Sequence, residues 1–391
     1  MTMKRWIALA SLLLSLLLLG GCATNPVTGE RELSLVDRSS EVALGEKEYL
    51  PSRQQQGGDY VVDPALTRYV QRVGARLAAV ADRDLPYEFV VVNDSTPNAW
   101  ALPGGKIAVN RGLLTELRNE AELAAVLGHE IVHAAARHGA QSMERSVLLQ
   151  AALLAAGVAA GASDNDNAAL LLGAASVGAG LINQKYSRDA ELEADHYGMI
   201  YMQRAGYDPQ AAVALQQTFV RLAEGRDQNW LTGLFASHPP SQERVEKNRQ
   251  MARQLGAGKG RIGEAEYRRA TARLRRDKPA YAAYDEGRKL LRKSPEKSLR
   301  LAQKAIAIEP EEGLFHELLG DALTLLDRPR EARRAYDRAV RLNDGFFRPY
   351  LKRGALEADL GEREAARRDL QRSQQLLPTR IARQLLDRLN Q

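Results

Sequence analysis

From Asp63 onward the apolar residues fall on a helical period: Leu66, Tyr69, Val70, Val73 and Leu77 recur at spacings of three and four. The pattern predicts a helix with one buried face. At Tyr87–Asn93 (YEFVVVN) the period changes, and the β-branched run predicts a strand. Gly105–Asn110 (GKIAVN) predicts a second. Between them Asn98–Gly105 (NAWALPGG) carries Pro and Gly, which bend the chain. Asn119 is placed to cap the next helix, with Glu120 and Glu122 in its first turn, where the helix dipole favours negative charge. That helix runs through Gly128–Gly139, GHEIVHAAARHG.

Two further regions stand apart. Val147–Ala162 and Ala168–Ile182 are rich in Ala, Leu and Gly and flank Ser163–Asn167 (SDNDN). Each is shorter than the roughly 20 residues a membrane span needs, so the pair reads as a buried helical hairpin or as one that leans on a membrane. Further on, a period of 34 residues emerges. Gly320 and Gly354 stand at that distance, as do Leu326 and Leu360, Ala332 and Ala366, and Asp344 and Pro378. The period and its small residues resemble tetratricopeptide repeats. Units fall at 311–344 and 345–378, with a degenerate one at about 279–310 and a capping helix in 379–391.

Composition narrows the function. The chain of 391 residues carries a net charge of +6, of which Lys4 and Arg5 supply two. The remainder is mild and lacks interleaved aromatics, so no nucleic-acid partner is expected. Lys4 and Arg5 precede an apolar run, Ile7–Leu19, and the run ends in Leu-Gly-Gly-Cys. This reads as a secretion leader. Its end resembles a bacterial lipobox, in which Cys22 is lipidated; a plain secretory peptide or a short anchor helix is the simpler alternative. Cys22 is the only cysteine, so no intramolecular disulfide braces the chain. Ala23 after the cysteine implies, by resemblance to lipoprotein sorting, the outer membrane.

The chemistry lies in His129-Glu130-x-x-His133. Positions four apart share a helical face, so both imidazoles reach one metal, and Glu130 stands beside them without ligating. A catalytic zinc needs a third protein ligand. Ser187–Gly198 (SRDAELEADHYG) offers Glu191 and Asp195, again four apart. Alone, that acidic segment would read as a solvated face.

These segments resemble in order the signature of a zinc metallopeptidase family that includes the CAAX prenyl proteases and the HtpX proteases. The pieces are His129–His133 (HEIVH), Arg188–Asp195 (RDAELEAD) and Ser237–Val245 (SHPPSQERV), preceded by Asn98–Leu114 (NAWALPGGKIAVNRGLL). The resemblance covers roughly residues 25–250, and the repeats that follow match the BepA-type periplasmic arrangement. It implies one Zn²⁺ held by His129, His133 and Glu191. It makes Glu130 the general base on the attacking water. Asp195 would orient a ligand histidine or assist proton transfer. His238 would either stabilise an oxyanion or close the open metal position. Arg244 would hold its loop, while His138, His196 and His316 read as structural. Asn98–Leu102 would bind an extended peptide along an edge strand.

The expected fold is α+β. A leader (1–22) precedes a mainly helical zincin-type metalloprotease domain with a small sheet (23–261), and an all-α repeat domain follows (262–391). The expected function is a lipid-anchored periplasmic zinc endopeptidase acting on unfolded or misassembled envelope proteins. Its repeats would recruit clients or an outer-membrane assembly machine. The alternative is an assembly factor or chaperone whose protease site is normally shut. A CAAX-type membrane protease is disfavoured, since the sequence after Cys22 has no long apolar span.

Overall fold

Two short strands pair at the start of the described chain, β1 (Cys22–Thr24) and β2 (Arg31–Leu33), antiparallel across the Asn25–Glu30 turn. The structure is a computed structural model that describes residues 22–159, 185–224 and 233–391. The leader before Cys22 lies outside them. Helix α1 (Arg38–Gln55) is capped by Asp37, whose side chain accepts from the Ser40 amide. Helix α2 (Pro64–Ala78) is the one the periodicity predicts. Asp63 caps it, and Leu66, Tyr69, Val70, Val73 and Leu77 line its buried face.

Both predicted strands form, as β3 (Glu88–Val92) and β5 (Lys106–Asn110). The bend between them is a turn at Pro103–Gly105, where Gly104 and Gly105 take φ of 77° and 86°, a region that favours glycine. The residues before the turn form β4 (Ala99–Leu102). Strand order is β3-β5-β4, with β3 parallel and β4 antiparallel to β5, so β4 lies at a sheet edge. Its four side chains are all buried.

After α3 (Arg111–Glu116) comes α4 (Glu120–Ala135), the histidine helix. Asn119 caps it by accepting from the Glu122 amide, and the helix is buried along its whole length. Glu120 accepts from the hydroxyls of Tyr69 (2.7 Å) and Tyr207 (2.8 Å) and from Arg261 (2.8 Å). Helix α5 (His138–Ala159) leads into the Ala/Leu/Gly-rich region. In its described part Val147, Leu148 and Leu149 are 52%, 45% and 61% exposed. The expected hairpin lies mostly outside the described residues. Residues 160–182 lie outside the described part. Among the described residues no helix is long and apolar enough to cross a membrane.

Helices α6 (Arg188–Arg204), α7 (Gln210–Glu224), α8 (Leu234–Ser237) and α9 (Gln242–Gln254) complete the layer around α4. Helix α10 (Glu264–Ala270) buries Tyr267, whose hydroxyl donates to the Leu114 carbonyl at 2.6 Å.

The rest is helical hairpins. Helices α11 (Ala272–Leu290) and α12 (Pro295–Ile308), α13 (Gly313–Leu325) and α14 (Pro329–Leu342), and α15 (Phe347–Asp359) and α16 (Arg363–Leu376) pair in turn, and α17 (Arg380–Leu389) caps the stack. The repeating glycines mark where helices touch. A Cβ on Gly320 would meet the Tyr336 ring at 2.5 Å, and one on Gly354 would meet Leu370 at 3.0 Å. One hydrophobic core runs from Leu66 and Val70 through the histidine helix to Tyr281, Phe315 and Phe346. The first repeat helices are therefore packed onto the layer around the histidine helix.

Candidate metal centre

The site forms where α4 crosses α6. The two backbones approach at Gly128 and Gly198: a Cβ on Gly128 would lie 3.0 Å from the Gly198 carbonyl oxygen, and one on Gly198 would lie 3.0 Å from the His129 nitrogen. That approach lets the short carboxylate arms of α6 reach the imidazoles of α4. His129, Glu130 and His133 come from α4, Glu191 and Asp195 from α6, and His238 from the residue that ends α8. All six are buried.

The donor atoms face one another. His129 Nε2 is 3.0 Å from His133 Nε2 and 3.2 Å from His238 Nδ1. The Glu191 carboxylate lies 3.5 Å from His129 Nε2, 3.4 Å from His133 Nε2 and 2.8 Å from His238 Nδ1. Four ligands on a tetrahedral zinc at roughly 2.0–2.1 Å stand about 3.3 Å apart. The separations here bracket that edge, so the residues fit the ion. His129, His133, Glu191 and His238 form a metal-capable group whose donor atoms all lie within 4.8 Å of one another.

Charge points the same way. Glu130, Glu191 and Asp195 are buried carboxylates, and Arg244 is the permanent cation among them. An excess of buried negative charge is costly unless a cation or protons offset it. Burial alone would lower the His129 imidazole, yet the Glu191 and Asp195 carboxylates outweigh it and raise His129 to about 10. Burial also opposes ionisation of Glu191, but His238, Arg244 and His129 hold it well below the ordinary carboxylate range. Burial dominates at Glu130 and raises it, and Glu130 Oε2 is buried without a hydrogen-bond partner.

Each imidazole is held from behind. His129 Nδ1 sits 2.9 Å from Asp195 Oδ1, and Arg244 grips Asp195 with two 2.7 Å hydrogen bonds. With Nδ1 donating to Asp195, the His129 Nε2 lone pair faces the metal group. His133 Nδ1 lies 2.8 Å from His138 Nδ1, and His138 Nε2 lies 3.3 Å from Glu193. Sequence reasoning took His138 as structural without giving it this contact. It missed Tyr186, whose ring stacks on His133 at 4.0 Å between centroids. The two glycines at the crossing were missed as well. His196 is edge-on to Tyr197, and His316 meets the Pro310 carbonyl in the repeats.

Beside Glu130 lies a small cavity of about 40 Å³ between α4, α6 and α7, with walls of Val126, Met199, Met202, Leu215 and Phe219.

The sequence has known relatives. Residues 64–252 match the model of Peptidase family M48. The beta-barrel assembly-enhancing protease of Escherichia coli (strain K12) is 32% identical over 220 residues, 52% of this chain and 44% of that protein. The mitochondrial metalloendopeptidase OMA1 of Schizosaccharomyces pombe is 34% identical over 225 residues, 57% of this chain and 64% of that one. The chain thus spans less than two-thirds of either relative. Metalloprotease YcaL of Escherichia coli (strain K12) is 34% identical over 181 residues, 45% of this chain and 68% of that protein. The histidine helix, the glutamate helix and the His238 segment all fall inside the matched region, and by that match this chain belongs to peptidase family M48.

Proposed function

We propose that this chain is a zinc endopeptidase of the cell envelope, held at the membrane by a lipid on Cys22, that cleaves unfolded or misassembled polypeptides. The observation that carries the reading is the buried group His129, His133, Glu191 and His238, with Glu130 beside it. A zinc ion held by these residues supplies Lewis acidity toward a peptide carbonyl and a water molecule. The chain's own residues do the rest. Glu130 takes a proton from the attacking water and hands it to the leaving amine. Asp195 and Arg244 keep the His129 ring aimed, and His138 and Tyr186 hold the His133 ring. The small apolar cavity beside Glu130 keeps that face of the site dry, while β4 aligns the peptide backbone.

His238 has two readings from sequence, oxyanion support or closure of the metal site. Its Nδ1 lies among the ligand atoms, 2.8 Å from Glu191 and 3.2 Å from His129, which favours closure. In this form the site is latent, and His238 must leave for substrate to enter. Relatives named for beta-barrel assembly support clients and partners at the outer membrane, met through the repeats.

The test is cleavage of casein by wild type, Glu130→Gln and His238→Ala, each with and without a zinc chelator. Chelator-sensitive cleavage that rises in His238→Ala and vanishes in Glu130→Gln is the expected result. Zinc bound with no cleavage by any form would favour the assembly-factor reading. Complementation of outer-membrane integrity by Glu130→Gln, equal to wild type, would do the same.

A further inference from the structure

Arg111, at the start of α3, is 3% exposed, yet its partners belong to two parts of the molecule. Its Nε donates to Asn93 Oδ1 and its Nη2 to Ser95 Oγ, both at 2.7 Å. Its guanidinium lies 3.4 Å from the centre of the Tyr281 ring on α11. The Tyr281 hydroxyl donates at 2.6 Å to Glu312 Oε2, which also accepts from Asn93 Nδ2 at 3.0 Å. The other Glu312 oxygen caps α13 at the Leu314 amide. The loop after β3 is thus clamped to the repeat helices through buried polar groups, each of which depends on the others to stay satisfied.

The far end of the same loop holds the His238 segment. The Leu234 amide donates to the Pro97 carbonyl at 2.9 Å, and the His238 amide donates to the Leu234 carbonyl at 2.7 Å. Gly233 packs so closely that a Cβ there would lie 2.6 Å from the Pro97 oxygen. Between its two ends the loop is braced. The Thr96 amide donates to Asp94 Oδ1 at 2.6 Å, Asn110 Nδ2 donates to the Thr96 carbonyl at 3.0 Å, and the Gly112 amide donates to the Asp94 carbonyl at 3.0 Å. These braces link the Arg111 end of the loop to its Pro97 end through Asn110 and Gly112.

We propose that residues 93–97 carry the position of the repeat helices to His238, with Arg111 as the positioning residue, so that a polypeptide engaging the repeats unseats His238. The proposal rests on the reading of His238 as a closing ligand. A displacement of α11 or α13 breaks the Tyr281–Glu312–Asn93 bonds, frees Arg111, and slackens the Pro97–Leu234 contact that seats α8 on the metal site.

The test uses the full chain and two readouts: amide hydrogen exchange of the peptide covering 233–241, and basal casein cleavage. Tyr281→Phe removes one hydroxyl and keeps the ring. Arg111→Lys keeps the charge and loses the fork. Both should speed exchange at 233–241 and raise basal cleavage, by about tenfold if the coupling is of ordinary allosteric size. In the His238→Ala background neither should raise cleavage further, the signature of two changes acting through one element. Unchanged exchange at 233–241 in both variants, with normal melting temperatures, would overturn the proposal. So would an equal increase in cleavage with and without His238. Should Tyr281→Phe fail to fold, Ser95→Ala replaces it with the same expectations. If His238→Ala alone leaves cleavage at the wild-type level, the closing-ligand reading fails and the proposal with it; faster exchange at 233–241 would then mark only a structural tie.

Discussion

Among the charge clusters of the described residues, two are built on opposite plans. In the repeats, Glu317 meets Arg348 at 2.6 Å and also pairs with Lys352. Lys352 pairs with Asp321 as well, and Asp321 accepts from the Tyr336 hydroxyl at 2.9 Å. Two acids face two bases, and the charges balance. At the helix crossing, three carboxylates share one arginine and imidazole nitrogens point at one another. Glu317 is buried among half-buried partners, the crossing cluster is buried throughout, and both shift the ionisation of their members. Burial and perturbed ionisation therefore do not identify a working site by themselves. What sets the second apart is a charge imbalance surrounding convergent lone pairs.

The comparison breaks most sharply at single carboxylates. Glu130→Gln should lower cleavage by about 10²–10⁴-fold, the usual worth of a general base, with zinc content and melting temperature unchanged. Glu317→Gln should do the reverse. It should cost about 1.5–3 kcal/mol in urea unfolding, the usual worth of hydrogen bonds between charged groups, and leave zinc content alone. If Glu317→Gln removed metal, or Glu130→Gln unfolded the chain, the distinction between the clusters would be lost.

The ligand support should give a smaller effect. Asp195→Asn leaves every proposed ligand in place but weakens the hold on His129, so zinc affinity should fall by about 10–100-fold in a competition titration. An unchanged affinity would mean that the ring is aimed by packing alone. Smallest is the response to acid. Arg348 and Lys352 overcome the burial of Glu317 and hold its carboxyl at about 2, below its ordinary 4.5. Below 4.5 the unfolded chain takes up the proton first, so this share of stability drains away as the pH falls from about 4.5 to about 2. Asp321, raised by its burial, works in the opposite sense and softens the effect. Glu317→Gln should therefore flatten the fall in stability across that window.

How much of this was legible in the sequence depended on distance along the chain. His129, Glu130 and His133 could be read because a helix fixes which neighbours share a face; the same spacing offered Glu191 and Asp195, which only the resemblance separated from a solvated face. The helix from Pro64 and both repeat hairpins after residue 311 were read from period alone. Tyr186 could not be, because it precedes α6 in a segment without period and acts through stacking. Gly128 and Gly198 looked like ordinary helical glycines, since their meaning exists only when two helices cross. Arg111, Tyr281 and Glu312 come from three distant segments, and no local pattern joins them.

The glycine pair at the crossing has one more consequence. It makes the choice of ion a matter of backbone spacing as much as of ligand chemistry. A methyl group at position 128 or 198 would press the helices apart by a few tenths of an ångström and spread the donor atoms with them. A wider cage no longer suits a small four-coordinate cation and comes closer to the needs of a larger one with more ligands. Anyone wishing to retune the metal of this enzyme would leave its histidines and glutamates alone and begin at Gly128 and Gly198.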